Sequence, residues 1–326
     1  MTVEEASNGT MRAVRFRELG EPVDVLRLER VAVPEVPPGR VRVAVRACGL
    51  NPADWAICRG LFAGKLPRGI GLEVSGVVDA VGAGVADVAA GDLVMGMADW
   101  ENEASAGAAE RVIMAHWAGV PAGLDPLQAA ALPMAAETAY RSLEQLGVGA
   151  DRVLMVHGAG TTVGFAAVQL ALMRGARVVA TAGDTYAGQL RDFGATVTAY
   201  GAGMVERVRQ VVGGAPDLIL DCAPPDGVLP DLLLIAGGDP RRVLTITDFA
   251  AAAPLGIRDS MREEPTLRLR YDKLADFARW AAEGRLAVPI AQTFPLDEWD
   301  RARALSESRP ARGKLLLLPG TPATEY

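Results

Sequence analysis

The chain has 326 residues, of which half are hydrophobic and 36 are glycine, and its formal net charge at pH 7 is −7. This length exceeds the usual size of one hydrophobic core and predicts two domains, and the composition excludes a disordered chain. The acidic balance argues against nucleic-acid binding, which needs a basic face. No apolar stretch reaches the ~20 residues that a membrane-spanning helix requires.

The cysteines and the first residues indicate the compartment. Cys48, Cys58 and Cys222 are too few for a disulfide framework, and residues 1–10 lack the apolar core of a signal peptide. We therefore expect a cytoplasmic protein that acts on a small-molecule substrate and has neither a nucleic-acid nor a membrane partner.

Roughly the first 120 residues predict a β-rich partial barrel. Val41, Val43 and Val45 alternate with two arginines and an alanine, which is typical of a half-buried antiparallel strand. Further strands are expected over 11–19 and 74–81, and Gly and Pro residues separate these short segments.

The pattern changes at Pro121, after which strands and helices alternate. This alternation predicts a doubly wound parallel sheet. A last strand near the C-terminus, over 315–318, no longer follows the alternation, and we expect it to return to the first domain. The expected strands of the sheet cover 153–157, 177–182, 217–222 and 242–247, and the expected helices cover 126–146, 163–174, 185–193, 203–213 and 272–283.

A glycine-rich turn follows the first of these strands. Gly158, Gly160 and Gly164 stand between an apolar run and a helical pattern, where a helix N-terminus suits a pyrophosphate. The dinucleotide fingerprint is G-x-G-x-x-G, and this chain has one extra residue before the last glycine. We interpret the turn as a dinucleotide site; the alternative is a tight strand-to-helix turn without a ligand.

The end of the second strand bears on the choice of cofactor. Enzymes that prefer NADH usually carry Asp or Glu here to bind the ribose 2′-hydroxyl. Ala182 and Gly183 stand there instead, which leaves room for a 2′-phosphate and favours NADPH, although Asp184 could still reach a ribose. The candidate donors to the phosphate are Tyr186, Arg191 and Tyr200.

Metal and nucleophilic chemistry find little support in the residues. Zinc needs three or four convergent Cys, His or carboxylate ligands, and the only histidines are His116 and His157. We therefore predict no metal site. No G-x-S-x-G elbow is present, and Cys222 is interpreted as a small buried hydrophobe. For Asp221 beside it, the alternative to a functional role is a plain turn cap.

Several motifs together resemble the medium-chain dehydrogenase/reductase superfamily, in its zinc-independent quinone oxidoreductase-like branch. The resemblance extends over nearly the whole chain, from about Met11 to Leu318. Its most specific segments are Arg46-Ala-Cys-Gly-Leu-Asn-Pro-Ala-Asp54, Gly71-Leu-Glu-Val-Ser-Gly-Val-Val78, Gly91-Asp-Leu-Val94, Ala129-Ala-Ala-Leu-Pro133 with Thr138-Ala139, Val156 to Gly164, and Gly313-Lys-Leu-Leu-Leu-Leu318.

The resemblance implies an α/β fold in which a GroES-like partial β-barrel contains an inserted Rossmann doubly wound parallel sheet. The barrel would comprise residues 1–123 and 263–326 and the Rossmann domain residues 124–262. Members with catalytic zinc carry a cysteine where Asn51 or its neighbours stand and a histidine where Leu72 stands, whereas this chain has Asn51 and Leu72. A homodimer is also expected from the family.

The implied activity is hydride transfer from NADPH to a quinone or an α,β-unsaturated carbonyl. Asn51 would donate a hydrogen bond to the substrate carbonyl, where charge develops as hydride arrives; the alternative is that Asn51 only caps an Asn-Pro turn. The expected cofactor contacts are Thr138, Gly158, Ala159, Gly160, Thr161, Thr162, Val163, Ala182, Gly183, Tyr200, Thr247, Phe249, Gly313 and Lys314.

The chain also departs from the family pattern. Thr161 and Thr162 replace two glycines of the turn, and Ala56 and Phe62 stand where relatives often have tyrosines, which removes the obvious proton donor. Two alternatives therefore stay open. One is a pathway-specific enoyl or ketone reductase of biosynthesis, and the other is a non-catalytic NADPH-binding sensor or structural protein.

Overall fold

The structure is a computed structural model that describes residues 9–62, 64–262, 268–308 and 312–320. The strands are β1 (Thr10–Phe16), β2 (Arg27–Ala32), β3 (Val41–Leu50), β4 (Arg68–Gly69), β5 (Glu73–Val81), β6 (Leu93–Ala98), β7 (Arg111–Gly119), β8 (Val153–His157), β9 (Arg177–Thr181), β10 (Thr196–Thr198), β11 (Leu218–Asp221), β12 (Val243–Thr245), β13 (Arg258–Asp259), β14 (Ile290–Pro295) and β15 (Lys314–Leu318).

The helices occupy the segments between these strands. They are α1 (Pro22–Val25), α2 (Pro52–Cys58), α3 (Pro126–Ala131), α4 (Pro133–Leu146), α5 (Thr162–Met173), α6 (Asp184–Asp192), α7 (Met204–Val212), α8 (Leu229–Ile235), α9 (Phe249–Leu255), α10 (Leu274–Ala282) and α11 (Trp299–Glu307). Short 3-10 helices cover Pro240–Arg242, Tyr271–Lys273 and Leu296–Glu298. Within the residues described, no helix is both long and apolar enough to cross a membrane.

The predicted elements are confirmed, with small shifts at their ends. The helix expected over 163–174 is α5, and the strand expected over 153–157 is β8. The helical segment expected over 126–146 consists of two helices, because Pro133 has no N–H to donate to the carbonyl four residues before it.

The chain divides into two compact units. Unit 1 comprises the described residues up to Met134, residues 271–284 and the described residues from Pro289 onward. Unit 2 comprises residues 135–270, as far as they are described, and residues 285–288. The assignment of 1–123 and 263–326 to a substrate domain and of 124–262 to a cofactor domain stays a prediction.

Unit 1 is built mainly on antiparallel strands, and only β14 and β15 pair in parallel among its described strands. Its larger sheet has the order β14-β15-β3-β5-β6-β7, and β7 returns to pair with β3, so that β3, β5, β6 and β7 close into a small barrel. Val41, Val43 and Val45 point into its core with at most 3% exposure, as the alternation predicts. The C-terminal strand β15 pairs antiparallel with β3, which confirms that this strand returns to the first domain.

Unit 2 contains a parallel sheet with the order β10-β9-β8-β11-β12-β13. The chain runs outward from β8 to β10, then crosses to β11 and runs outward on the other side. The predicted doubly wound sheet is therefore confirmed. In such sheets ligands bind at the carboxyl ends of the strands where the order reverses, which here are the ends of β8 and β11.

Close packing explains two glycines of the turn after β8. Gly158 has φ +72°, and a Cβ there would lie 2.5 Å from the backbone nitrogen of Ala223. Gly164 lies in the first turn of α5, and a Cβ there would lie 2.3 Å from the carbonyl oxygen of Gly158. Both glycines therefore allow helix α5 to approach the strand ends closely.

We predict that Gly164→Ala lowers the free energy of unfolding by about 1–3 kcal/mol, because the added methyl overlaps backbone that cannot move away without a shift of the turn. Gly188→Ala is the matched control in helix α6, where a Cβ meets nothing within 4 Å. That control should raise the free energy of unfolding by about 0.5–1 kcal/mol. Urea unfolding of both variants measures the difference, and equal effects would contradict the packing explanation.

Candidate active site

A buried polar cluster lies at the ends of three neighbouring strands of unit 1. The register of β15 with β3 pairs Leu315 with Leu50, and the register of β3 with β5 pairs Gly49 with Glu73. These pairings bring together three side chains that are distant in sequence, namely Asn51, Glu73 and Lys314. Their exposed fractions are 8%, 0% and 2%.

The three side chains bond to one another. Asn51 Nδ2 donates to Glu73 Oε1 at 2.9 Å, and Lys314 Nζ donates to Asn51 Oδ1 at 2.6 Å. Lys314 Nζ also forms an ion pair with Glu73 Oε1. The second carboxylate oxygen of Glu73 accepts the backbone N–H of Met134 at 2.7 Å. The negative charge of Glu73 is thus surrounded by donors.

Asp54 fixes the backbone that carries Asn51. Its carboxylate accepts the backbone N–H of Asn51 at 2.7 Å and the backbone N–H of Gly71 at 2.6 Å. Burial raises the pKa of Asp54 to about 6, although these two N–H groups oppose the shift. Asn51 stands immediately before helix α2, and its side chain reaches Glu73 and Lys314.

Two glycines make room for this cluster. A Cβ at Gly49 would lie 2.7 Å from Glu73 Oε1. Gly71 has φ +89°, and a Cβ there would lie 2.3 Å from the sulfur of Cys48. The motifs Arg46 to Asp54 and Gly71 to Val78, which are distant in sequence, are therefore parts of one packed structure.

The glycine turn of unit 2 leaves donors open at the start of α5. Thr161 Oγ1 accepts the N–H of Gly164 at 3.1 Å, so Thr161 caps the helix and its hydroxyl hydrogen can still donate. Thr162 and Val163 are the first two residues of α5, where backbone N–H groups have no acceptor within the helix. Free N–H groups at a helix N-terminus suit a phosphate.

The backbone of the turn is also open where a cofactor would approach. The nearest atom to a Cβ at Gly160 would be Tyr186 Cδ2 at 3.8 Å, whereas Ala159 is fully buried and donates its N–H to Thr181 O at 3.0 Å. The residues of this turn therefore fit the pyrophosphate of a dinucleotide. This fit rests on free N–H groups and open space above Gly160.

The candidate ribose-binding residues lie together at the end of β9. Ala182 donates its N–H to Thr198 O at 3.2 Å, and Gly183 caps helix α6. The hydroxyl of Tyr200 would lie 3.7 Å from a Cβ at Gly183, and Tyr200 is 58% exposed. Arg191 lies in the last turn of α6, about 10 Å along the axis from its start, so the expected donors do not all converge.

A cavity of about 570 Å³ lies in unit 2 at the carboxyl ends of the strands. His157 is buried at its edge, and its Nδ1 lies 2.8 Å from Thr181 Oγ1. Burial lowers the pKa of His157, which favours the neutral imidazole. The polar side chains that line the cavity are His157, Tyr200, Glu206, Arg209, Asp226 and Asp231.

The remaining predicted cofactor contacts lie in varied environments. Thr247, after β12, donates its hydroxyl to Ala223 O at 2.6 Å, and Phe249 begins helix α9. Thr138 lies half-buried on α4. Gly313 has φ +120°, and a Cβ there would lie 2.5 Å from Pro289 O. A role for each of these residues in cofactor binding stays a prediction.

Sequence reasoning did not single out Glu73 or Asp54, which hold Asn51 and Lys314 in place. Both belong to motifs that carry the family resemblance, Gly71-Leu-Glu73 and Asn51-Pro-Ala-Asp54. An Asp three residues after an Asn-Pro start is a helix-capping signal that could have indicated Asp54. No local signal indicates Glu73, because its partners are distant in sequence.

Comparison with known proteins identifies the family. The family model described as "Alcohol dehydrogenase GroES-like domain" matches residues 37–140, and the model described as "Zinc-binding dehydrogenase" matches residues 193–317. The quinone oxidoreductase of Lama guanicoe is 32% identical, and the alignment covers 94% of this chain and 97% of that protein. The chain therefore belongs to the medium-chain dehydrogenase/reductase superfamily, in its quinone oxidoreductase-like branch.

Two further similarities bear on the chemistry. The 2-methylene-furan-3-one reductase of Solanum lycopersicum is 37% identical over 149 residues, which are 42% of this chain and 38% of that protein. The solved structure of an NAD-dependent alcohol dehydrogenase superimposes with a TM-score of 0.81 and 28% identity, over 95% of this chain and 100% of that one. The relatives are oxidoreductases, and the expected α/β fold with a GroES-like domain is confirmed.

The name of the second family model implies zinc, so the donors around Asn51 are relevant. Zinc binds Cys, His or carboxylate groups. Two carboxylates lie beside Asn51: Asp54 already accepts two backbone N–H groups, and Glu73 already bonds to the Lys314 ammonium. A second cation beside this ammonium would be repelled, so these residues do not suit zinc. In the described part of the chain, no group of three or more His, Cys, Asp or Glu side chains could hold a metal ion.

Asp221 ends β11 at the switch point and is 1% exposed. It accepts the Thr245 hydroxyl at 2.8 Å and the Ala223 N–H at 3.1 Å. Burial nevertheless raises its pKa from the ordinary value of 3.8 to about 6. The folded state therefore binds a proton at Asp221 more tightly than the unfolded state does. Protonation of Asp221 therefore stabilises the folded state fully below pH ~4, and this stabilisation is lost as the pH rises through ~6.

We predict that the stability of the wild-type protein relative to Asp221→Asn falls by up to about 3 kcal/mol between pH 4 and pH 7, because only the wild type must ionise a buried carboxylate. Urea unfolding at several pH values measures this difference. The control is Asp276→Asn, since a hydrogen bond from Arg279 lowers the pKa of Asp276 below its ordinary value of 3.8, so its relative stability should stay nearly constant between pH 4 and pH 7. A pH-independent difference for Asp221→Asn would contradict the prediction.

Proposed function

We propose that this protein is an NADPH-dependent, zinc-independent reductase that transfers hydride to a quinone or to an α,β-unsaturated carbonyl compound. The observation that carries the proposal is the orientation of the buried Asn51 amide. One N–H bonds to Glu73 and the amide oxygen bonds to Lys314. An amide nitrogen has two N–H groups, so one donor remains for a substrate oxygen.

The proposed role of Asn51 follows from the place where negative charge develops on the substrate during hydride transfer. NADPH, held by the turn after β8, would supply the hydride that reaches the carbon β to the substrate carbonyl. As this bond forms, the electron pair of the C=C bond moves toward the carbonyl oxygen, and the N–H of Asn51 stabilises the resulting negative charge. The enolate then takes a proton at its α-carbon. Since Ala56 and Phe62 carry no hydroxyl, we propose that water provides this proton.

The relatives support this choice of reaction. One is a quinone oxidoreductase aligned over nearly its whole length, and another is a furanone reductase aligned over part of its length. Stopped-flow oxidation of NADPH against a panel of quinones and enones tests the proposal. Binding of NADPH without turnover of any panel member would instead favour the non-catalytic alternative.

We predict that Asn51→Ala lowers kcat by about 100- to 1,000-fold, as the loss of an oxyanion donor does in other enzymes. The dissociation constant for NADPH should stay nearly unchanged, because Asn51 acts on the substrate. Gln292→Ala removes an amide from an exposed position of β14 in the same unit and serves as the control. Unchanged turnover in Asn51→Ala would refute the proposed role.

The preference for NADPH is proposed from the residues after β9. Ala182 and Gly183 provide no carboxylate to bind a ribose 2′-hydroxyl, and the hydroxyl of Tyr200 lies close to Gly183. A hydroxyl at that place can donate to a 2′-phosphate. Asp184, the first residue of α6, is a nearby carboxylate that would favour NADH.

We predict that Tyr200→Phe weakens NADPH binding by about tenfold, which is the cost of one hydrogen bond to a charged group. NADH lacks the 2′-phosphate, so its dissociation constant should not change and serves as the internal control. Calorimetric titration with both cofactors gives the comparison. If NADH binds more tightly than NADPH and Asp184→Asn abolishes that preference, the cofactor assignment is wrong.

The cellular compartment and the oligomeric state of the enzyme are also proposals. The described cysteines, Cys48, Cys58 and Cys222, are free and buried, which suits a reducing cytoplasm. The homodimer expected from the family stays a proposal. The substrate is a small molecule, in agreement with the names of the relatives.

A further inference from the structure

The buried position of Lys314 suggests a role other than contact with a cofactor phosphate. Its side chain is 1% exposed, and its ammonium bonds to Asn51 Oδ1 and Glu73 Oε1. Its backbone is held as well, because its N–H donates to Pro289 O at 2.7 Å. The ammonium is therefore committed to the interior of unit 1, among the groups that surround Asn51.

The neighbours of Asn51 fix which way its amide points. An ammonium can only donate hydrogen bonds and an ionised carboxylate can only accept them. The amide oxygen must therefore face Lys314, and the amide nitrogen must face Glu73. Rotation of the amide by 180° would bring its oxygen against the carboxylate and its N–H groups against the ammonium. This arrangement excludes the reversed orientation.

Lys314 also supplies the counter-charge of Glu73 in the interior. Glu73 is completely buried, and an ion pair with hydrogen bonds is what permits a charged carboxylate there. Without the ammonium, the carboxylate would lose its counter-charge, and Asn51 would lose the donor that faces its oxygen. Lys314 therefore acts on the amide in two ways, directly and through Glu73.

We propose that Lys314, with Glu73, is a positioning residue that holds the Asn51 amide in the single orientation that leaves one N–H directed to the substrate. This inference rests on the proposed function of Asn51. It assigns Lys314 to the alignment of the catalytic amide, in place of the cofactor contact that the resemblance implies.

A double-mutant cycle tests the assignment. Lys314→Met alone would leave Glu73 buried without a counter-charge, so the variant to compare is Glu73→Gln/Lys314→Met, which removes both charges and keeps similar side-chain volumes. It is made in the wild-type background and in the Asn51→Ala background. The control is Lys273→Met, which removes a lysine paired with Asp276 at 3.3 Å outside the cluster. The measurements are kcat, KM for an enone and the dissociation constant of NADPH.

We expect the double variant to lower kcat by up to about 100-fold in the wild-type background, since misplacement of a catalytic group has an effect of that size. In the Asn51→Ala background the further loss should be within about twofold, because the residues act through Asn51. NADPH binding and the activity of Lys273→Met should not change. An equal loss of kcat in both backgrounds, or a weaker binding of NADPH with kcat preserved, would overturn the assignment.

Lysine-selective ¹⁵N NMR provides a second readout that does not depend on activity. The chain has only three lysines, Lys65, Lys273 and Lys314, so the spectrum is simple. We expect one ammonium signal to persist at neutral pH, protected from exchange with water, and to disappear in the Glu73→Gln/Lys314→Met variant. If the wild-type spectrum shows no protected ammonium signal, or if the variant keeps that signal, Lys314 is not held in this cluster and the inference is overturned.

The two proposals can fail separately. If the wild-type enzyme reduces no substrate, the proposed function fails first, and the positioning role fails with it even when the protected signal is present.

Discussion

The buried carboxylate of Glu73 is the group on which the polar interior of unit 1 depends. A charge without solvent is costly unless it is paired and hydrogen-bonded, and three neighbours of Glu73 meet these needs. Lys314 supplies the counter-charge, Asn51 and Met134 supply N–H donors, and Gly49 leaves the space. The orientation of Asn51 follows from this arrangement. A residue that looks like a plain turn cap in the sequence thus becomes a candidate catalytic donor.

Unit 2 depends on a different constraint, which is close packing at the reversal of strand order. The turn between β8 and α5 can approach β11 only because Gly158 and Gly164 have no side chains. Thr161 accepts the N–H of Gly164, and the N–H groups of Thr162 and Val163, the first two of the helix, have no acceptor within it. The two threonines that replace the usual glycines therefore keep the donor character of the turn. A chain that departs from the fingerprint can still provide a phosphate-binding helix start.

Much of the fold could be predicted from hydrophobic periodicity, which depends only on local sequence. The alternation around Val43 and the apolar runs of β8 and β9 indicate strands with nearly correct ends. Strand β14 and helix α11 were not predicted. Strand β14 has one buried side chain, Phe294, among exposed or half-exposed neighbours, so no alternation marks it.

The site was less predictable than the fold, because its contacts join distant parts of the chain. Lys314 and Asn51 are 263 positions apart, and only the pairing of β15 with β3 places them together. The family resemblance indicates that both residues matter, but it does not give the contact between them. The capping role of Thr161, in contrast, is local, and a Thr immediately before a helix is a signal for it.

Transfer of labelled hydride tests the central claim most directly. NADPH carrying deuterium at C4, prepared separately on each face, is mixed with the enzyme and an enone that it reduces, and the product is examined by NMR. The account predicts that one of the two labelled cofactors delivers its deuterium to the carbon β to the carbonyl, with hydrogen from water at the α-carbon. Deuterium absent from the β-carbon with both cofactors, or no reduced product at all, would contradict it.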